Sequence, residues 1–214
     1  MCRRSWLAAL VASAAAAFVV VGPAHATTEG APPDLADALV MLDDMPVGWG
    51  EYVAPTPSPR VRTRKAICGG SPRAPLATED EAWTAYALDN VEGPVFGERI
   101  ASYGPREAER LIVRITDDLP CTWTDSGIRW RASPLPRLHL GDDDTGYVRH
   151  QLHGNFAFSY NYEYRVRRGD VLLAFVFNSQ TPDRKLAEKL VRRAVDRYDE
   201  SPSVAAETIA ATRH

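Results

Sequence analysis

The strongest hydrophobic pattern in the chain is a strict alternation near its carboxyl end. Across residues 155–167, aromatic residues and one valine alternate with polar residues and one alanine. Because successive side chains of a strand point to opposite faces, this segment predicts a strand with one aromatic and one polar face. Gly169-Asp170 predicts a tight turn, and residues 171–177 are apolar at both alternations, as in a central strand. The two segments therefore predict a β-hairpin.

Weaker patterns along the rest of the chain predict further strands and three helices. The helices are expected at residues 35–42, where leucines recur at helical spacing, at 105–119 after Gly104, and after Thr181-Pro182-Asp183. The additional strands are expected at 82–89, 94–103, 128–132 and 147–152. Sequential strands with short connections favour an antiparallel sheet. The sequence thus predicts one α+β domain, with about five or six antiparallel strands, three helices packed mainly on one face, and one disulfide.

The first 26 residues have the organisation of an export signal. Arg3 and Arg4 precede an apolar run over residues 6–21, and Ala24-His25-Ala26 matches the small-residue cleavage pattern. We expect cleavage after Ala26 and a secreted, extracytoplasmic protein. The alternative is a retained anchor, although the run is short of the roughly 20 residues that span a bilayer. The predicted organisation continues with a flexible lead-in at 27–33, the domain at 34–199 and a loose tail at 200–214.

Two cysteines, Cys68 and Cys121, are left once Cys2 is removed with the signal. In an oxidising compartment a disulfide between them is the default expectation. It would fasten the end of the second helix to a proline-rich loop over residues 51–77. A reactive thiol and a metal site are the alternatives, and two sulfurs without a neighbouring histidine fall short of a zinc ligand set.

Composition and charge exclude several classes of protein. A hydrophobic content of 45% and a charged content of 25% are those of a soluble globular protein, and they exclude collagen-like, coiled-coil and wholly disordered chains. The formal net charge is −3, and loss of Arg3 and Arg4 with the signal brings it to −5. That acidity argues against a nucleic-acid partner, since nucleic-acid binders carry basic surfaces.

No catalytic or metal-binding motif occurs in the sequence. The nucleophile-elbow, zinc-protease and phosphate-loop patterns are absent. His150 and His153 would point to opposite faces of a regular strand, and Asp142-Asp143-Asp144 lacks the glycine and later glutamate of a calcium loop, which favours a turn with solvated charges. We therefore predict no catalytic residues, no metal site and no cofactor.

The aromatic face of the predicted hairpin is the best candidate for a binding site. It grades from phenylalanine to Tyr160, Tyr162 and Tyr164, and a buried tyrosine hydroxyl needs a hydrogen-bond partner. One interpretation is ordinary core packing under a helix. The other is the wall of a cleft for an amphipathic ligand, with Trp123 and Trp130 lining the same cleft.

Several fragments, in this order along the chain, resemble the PknH-like extracellular sensor domains, which are actinobacterial secreted sensor-like domains. The fragments are residues 39–49 (LVMLDDMPVGW), Cys68-Gly69, Cys121-Thr122-Trp123, residues 140–143 (LGDD) and residues 167–171 (RRGDV). The resemblance implies an extracytoplasmic α+β domain with a cleft that binds a ligand rather than catalysing a reaction.

The sequence therefore predicts an exported, non-catalytic, sensor-like domain that holds a small or lipid-like ligand in an aromatic-lined cleft. Two alternatives stay open. One is a protein-interaction module that contacts another protein of the cell envelope, and the other, less favoured, is a secreted hydrolase whose site matches no motif.

Overall fold

The fold is built on a single antiparallel sheet of eight strands. The computed structural model describes residues 35–52, 67–69, 78, 80–89, 93–103, 105–113, 119–153 and 156–202. The strands are β1 (Trp49–Glu51), β2 (Asp80–Leu88), β3 (Val95–Ser102), β4 (Cys121–Asp125), β5 (Ile128–Pro134), β6 (Asp143–His153), β7 (Phe156–Arg168) and β8 (Val171–Ser179). Their order across the sheet is β1-β2-β3-β8-β7-β6-β5-β4. The expected five or six strands were too few.

The two unpredicted strands, β1 and β4, lie at the two edges of the sheet. They have three and five residues, and β4 carries threonine and aspartate where an apolar alternation would be expected. An edge strand pairs on one side only and is often short, so its sequence pattern is weak. Both were therefore hidden in segments that the pattern assigned to loops.

The predicted β7–β8 hairpin is confirmed. Arg168 pairs with Val171 across a two-residue turn, and Tyr164 pairs with Phe175. Gly169 has a φ of 59°, a left-handed conformation that glycine adopts without strain. This hairpin forms the centre of the sheet, between β3 and β6.

The two α-helices lie on opposite faces of the sheet. Helix α1 (Pro105–Val113) packs Leu111 and Ile112 against Leu172, whereas α2 (Arg184–Glu200) packs in the cluster that contains Leu173. Because Leu172 and Leu173 are consecutive in β8, they point to opposite faces. We call the α2 side the inner face and the α1 side the outer face. The expectation of helices mainly on one face was therefore wrong.

Helix α2 begins as the sequence predicts. The Asp183 side chain accepts a hydrogen bond from the Leu186 N–H at 3.0 Å, which caps the first turn. The predicted inner positions are all buried: Ala187, Leu190, Val191, Ala194 and Tyr198. The first predicted helix is instead two short 3₁₀ helices, Leu35–Ala38 and Leu42–Asp44, whose residues Leu35, Ala38 and Val40 join the same core.

The disulfide between Cys68 and Cys121 is present and belongs to a small second core. This core groups Ile67, Ala132 and Tyr147 on the outer face, with Trp123 packed against them. Gly69 contacts the Trp123 ring so closely that a Cβ at position 69 would lie 2.5 Å from a ring carbon. The bridge therefore fixes edge strand β4 to the turn at residues 67–69.

The acidic triplet is a structural clamp rather than a solvated turn. Asp144 is buried and accepts hydrogen bonds from the Leu138 and Leu140 N–H groups, both at 2.8 Å. His139, between them, has a φ of 57°, which is uncommon for a residue with a side chain. The two bonds hold this turn and place Leu138 in the main core.

We expect Asp144→Ala to lower the free energy of unfolding by about 2 kcal/mol, because two charge-assisted hydrogen bonds to the backbone are lost. Asp143→Ala is the matched control: this carboxylate pairs with the exposed Arg137 and should contribute less than about 1 kcal/mol. Urea unfolding of the two variants measures the difference. Equal losses would contradict the clamp.

Several predictions fall outside the described residues. They are the export signal (1–26), the lead-in (27–33), most of the proline-rich loop and nearly all of the tail. Within the described part of the chain, no helix has the length and apolar character needed to cross a membrane.

Candidate functional site

The tyrosines of the predicted cleft lie on the inner face, under α2. Tyr162 and Tyr164 are only 4% and 2% exposed and belong to the main core, while Tyr160 is half-buried at its margin. The Tyr162 ring lies 6.3 Å from the Tyr160 ring and 6.1 Å from the Phe177 ring. Tyr162 and Tyr164 thus pack as core residues here, because α2 covers the aromatic face of β7.

Trp123 and Trp130 lie on the outer face, so the sheet separates them from the tyrosines. Trp123 pairs with Trp130, Trp130 pairs with Gln151, and Gln151 pairs with Ser159 of β7. Paired residues of antiparallel strands share a face, and Ser159 and Tyr160 are consecutive. The structure therefore brings the two tryptophans together and does not bring them to the tyrosines. A single cleft lined by all five residues is not formed.

The outer face instead carries a buried polar network on β6 and β7. The Tyr147 hydroxyl donates a hydrogen bond to the Glu163 carboxylate, and Arg149 Nε donates to the other oxygen of Glu163 at 3.0 Å. Arg165 Nη1 donates to the Leu111 carbonyl of α1 at 3.0 Å. The side chains of Glu163 and Arg149 are 6% and 11% exposed. Charges are thus held almost out of water by one another.

Burial governs the ionisation of this network. It raises the pKa of Tyr147 well above its usual value, and the neighbouring Glu163 charge raises it further. Burial also lowers the pKa of Arg165, against the charges of its neighbours. The phenol therefore remains a hydrogen-bond donor throughout the physiological pH range, and Glu163 is its acceptor.

Towards solvent, the network continues as a row of amides beside a tryptophan. Arg149 donates to Asn161 Oδ1 at 3.1 Å, and the Asn161 amide donates to Asn178, which is exposed. The Arg149 guanidinium also lies 5.8 Å from the centre of the Trp130 ring, a cation–π distance. We call Trp130, Arg149, Asn161 and Asn178 the amide row.

The amide row is supported from behind by the disulfide region. Trp130 stacks on Trp123 with ring centres 6.1 Å apart and planes inclined by 12°. Trp123 in turn contacts Gly69, next to Cys68. The row is therefore pre-positioned by packing, with exposed amide groups in front and charged groups behind.

Sequence analysis missed the polar face of β7 as a candidate site. Asn161, Glu163 and Arg165 alternate with the aromatic residues and were taken only as the polar side of the strand. The available signal was that β6 carries Tyr147 and Arg149 at the same alternation, so complementary groups meet when the strands pair.

The described residues contain no group of three or more histidine, cysteine, aspartate or glutamate side chains that could hold a metal ion. His150 packs edge-on against Tyr160, at 5.2 Å between ring centres, and burial lowers the pKa of His150, with the Arg131 charge adding to the shift. A register shift in β6 separates His150 from His153.

Comparisons with known proteins bear on the fold. No protein-family model matches the sequence, and no curated protein matches it. The extracellular domain of PknH from Mycobacterium tuberculosis is similar over 56% of this chain, with 9% identity and a TM-score of 0.43, and the match spans 64% of that domain. An uncharacterised protein from Mycobacterium smegmatis, the Rv0999 ortholog, is similar over 78% of this chain and 97% of its own, with 12% identity and a TM-score of 0.50. This second likeness shows a common fold. Membership of the PknH-like family stays a prediction.

Proposed function

We propose that this protein is an extracytoplasmic, non-catalytic recognition domain that binds a neutral, hydroxyl-rich ligand, such as an oligosaccharide, at the amide row. The observation that carries the proposal is the buried Tyr147–Glu163–Arg149 network ending in the exposed Asn161–Asn178 pair. Buried charges are costly to maintain unless they are paired, and arrangements of this kind concentrate at functional sites.

The chemistry of the exposed groups favours a neutral ligand. Asn178 is the most exposed member of the row, and its amide offers both a donor and an acceptor. Arg149 is held by Glu163 and Asn161, so its charge is already compensated. Fixed amides beside a tryptophan edge suit hydroxyl groups on an apolar ring better than they suit a phosphate or carboxylate.

The disulfide supports an extracytoplasmic location, because such bonds persist in oxidising compartments and are rare in the cytosol. The sensor-like role rests on the sequence resemblance to the PknH-like domains, and the shared fold is consistent with it.

We expect Asn178→Ala to weaken binding of a neutral oligosaccharide three- to tenfold, which corresponds to about 1 kcal/mol for one hydrogen bond. NMR titration of the folded domain with a panel of neutral and anionic oligosaccharides measures both the affinity and the residues affected. Asn178 is exposed, so its substitution should leave the fold unchanged.

Tyr160→Phe is the matched control on the inner face, since it removes one hydroxyl from the half-buried end of the tyrosine ladder. It should leave binding unchanged. If binding depends on Tyr160 and not on Asn178, the site lies on the inner face, as the sequence pattern predicts. If no neutral oligosaccharide shifts the signals of the amide row, the proposed ligand class is wrong.

A further inference from the structure

A carboxyl group is completely buried in the main core beneath the first ordered segment. Glu98, in the middle of β3, is 0% exposed on the inner face. Its Oε2 accepts a hydrogen bond from the Val40 N–H at 2.8 Å, and among the described residues its Oε1 has no hydrogen-bond partner. A buried carboxylate with one oxygen unsatisfied carries a desolvation penalty, and the neutral acid avoids most of it.

The same peptide segment is held from its other side by a tyrosine. The Tyr86 hydroxyl donates to the Val40 carbonyl at 3.0 Å, so the N–H of Val40 bonds to Glu98 and its carbonyl to Tyr86. Val40 itself is buried among core residues. These two bonds fasten residues 35–45 to strands β2 and β3.

The charged groups around Glu98 favour its neutral form. Asp44, from the second 3₁₀ helix, faces it and is paired with Arg193 of α2. Burial acts to raise the pKa of Asp44, but the Met41 N–H and Arg193 outweigh it, so that pKa is lowered and Asp44 is charged. Burial also raises the pKa of Tyr86, which stays protonated. Ionised Glu98 would thus meet a second negative charge and no described cation of its own.

We propose that residues 35–45 form a pH-sensitive latch, which is closed while Glu98 carries its proton and is released when Glu98 ionises. Opening would expose Glu98 to water and withdraw Ala38 and Val40 from the core. The segment held by this single titrating contact would then detach while the central hairpin and α2 remain in place.

The direction and range of the pH effect follow from the two ionisation states of Glu98. Burial raises the pKa of Glu98 from 4.5 to about 8 in the closed form, and the Asp44 charge adds to this. An acid whose pKa is higher in the closed form opposes closure as pH rises. The closing equilibrium therefore weakens roughly tenfold per pH unit between about 4.5 and about 8, and it levels off above that range.

Hydrogen–deuterium exchange across pH 5 to 9, corrected for intrinsic exchange rates, tests the latch. Peptides covering residues 35–45 should lose protection by up to about tenfold per pH unit and flatten above pH 8. Peptides from β7, β8 and α2 should keep theirs. Glu98→Gln, which preserves an acceptor for the Val40 N–H, should give protection that does not depend on pH.

Tyr86→Phe is the control variant, because it removes the other bond to Val40 without touching the titrating group. Its protection should be lower at every pH, with the wild-type slope retained. A carbon-13 NMR titration of the Glu98 carboxyl provides an independent measurement. The latch is refuted if Glu98 titrates near 4.5, if the slope survives in Glu98→Gln, or if the whole domain loses protection in parallel.

Discussion

Glu163→Gln is expected to lower the free energy of unfolding by about 3 to 5 kcal/mol, the loss typical when one partner of a buried ion pair is removed. The substitution keeps the size of the side chain and removes only its charge. Arg149 and Arg165 then remain buried with less compensation, and the Tyr147 hydroxyl loses its charged acceptor. Chemical denaturation at neutral pH, with the midpoint and slope both fitted, measures the loss.

Glu81→Gln is the matched control, because Glu81 also pairs with an arginine of the outer face. Its side chain is 44% exposed, although its partner Arg99 is buried. An exposed carboxylate contributes about 0 to 1 kcal/mol to such a pair. If both variants lose the same stability, burial of the Glu163 network has no special energetic role. The support for the amide row would then also weaken, since the network positions Arg149.

Reduction of the Cys68–Cys121 disulfide is expected to lower the free energy of unfolding by about 4 kcal/mol. The cysteines are 53 positions apart, and the chain-entropy estimate for a loop of that length gives this magnitude. The physical reason is that the bridge restricts the unfolded chain. In the folded state it also holds the turn at residues 67–69 against Trp123 on edge strand β4.

Thermal unfolding with and without a reductant measures this effect, and the double variant Cys68→Ala/Cys121→Ala should not respond to reductant. We also expect reduction to broaden the NMR signals of Trp123 and Trp130 before global unfolding, since β4 is an edge strand with one neighbour. An unchanged melting midpoint, together with labelling of both thiols by a thiol reagent, would contradict a stabilising bridge.

The features that could be predicted are those whose signal is local in the chain. The β7–β8 hairpin follows from alternation and a two-residue glycine turn, and α2 follows from a cap at Asp183 and an apolar stripe. The disulfide follows from the cysteine count and the expected compartment. Each depends on residues close together or on the number of possible partners, so no knowledge of strand order was needed.

The candidate site could not be predicted because it depends on pairings between distant segments. The amide row requires that β5, β6, β7 and β8 be adjacent in that order, which places Trp130 and Asn178 on one face. Buried Glu98 is equally hidden, since its position between Phe96 and Ile100 looks like a solvent-facing place in a strand until residues 35–45 cover it.

The sequence alone determined that β7 has an aromatic side and a polar side, because the geometry of an extended chain alternates its side chains regardless of context. Only the tertiary structure decided what each side does. Helix α2 buried the tyrosines, and the pairing of β6 with β7 gathered Tyr147, Arg149 and Glu163 opposite them. Burial and charge pairing are properties of neighbours in space, and a strand acquires those neighbours only when the sheet is assembled.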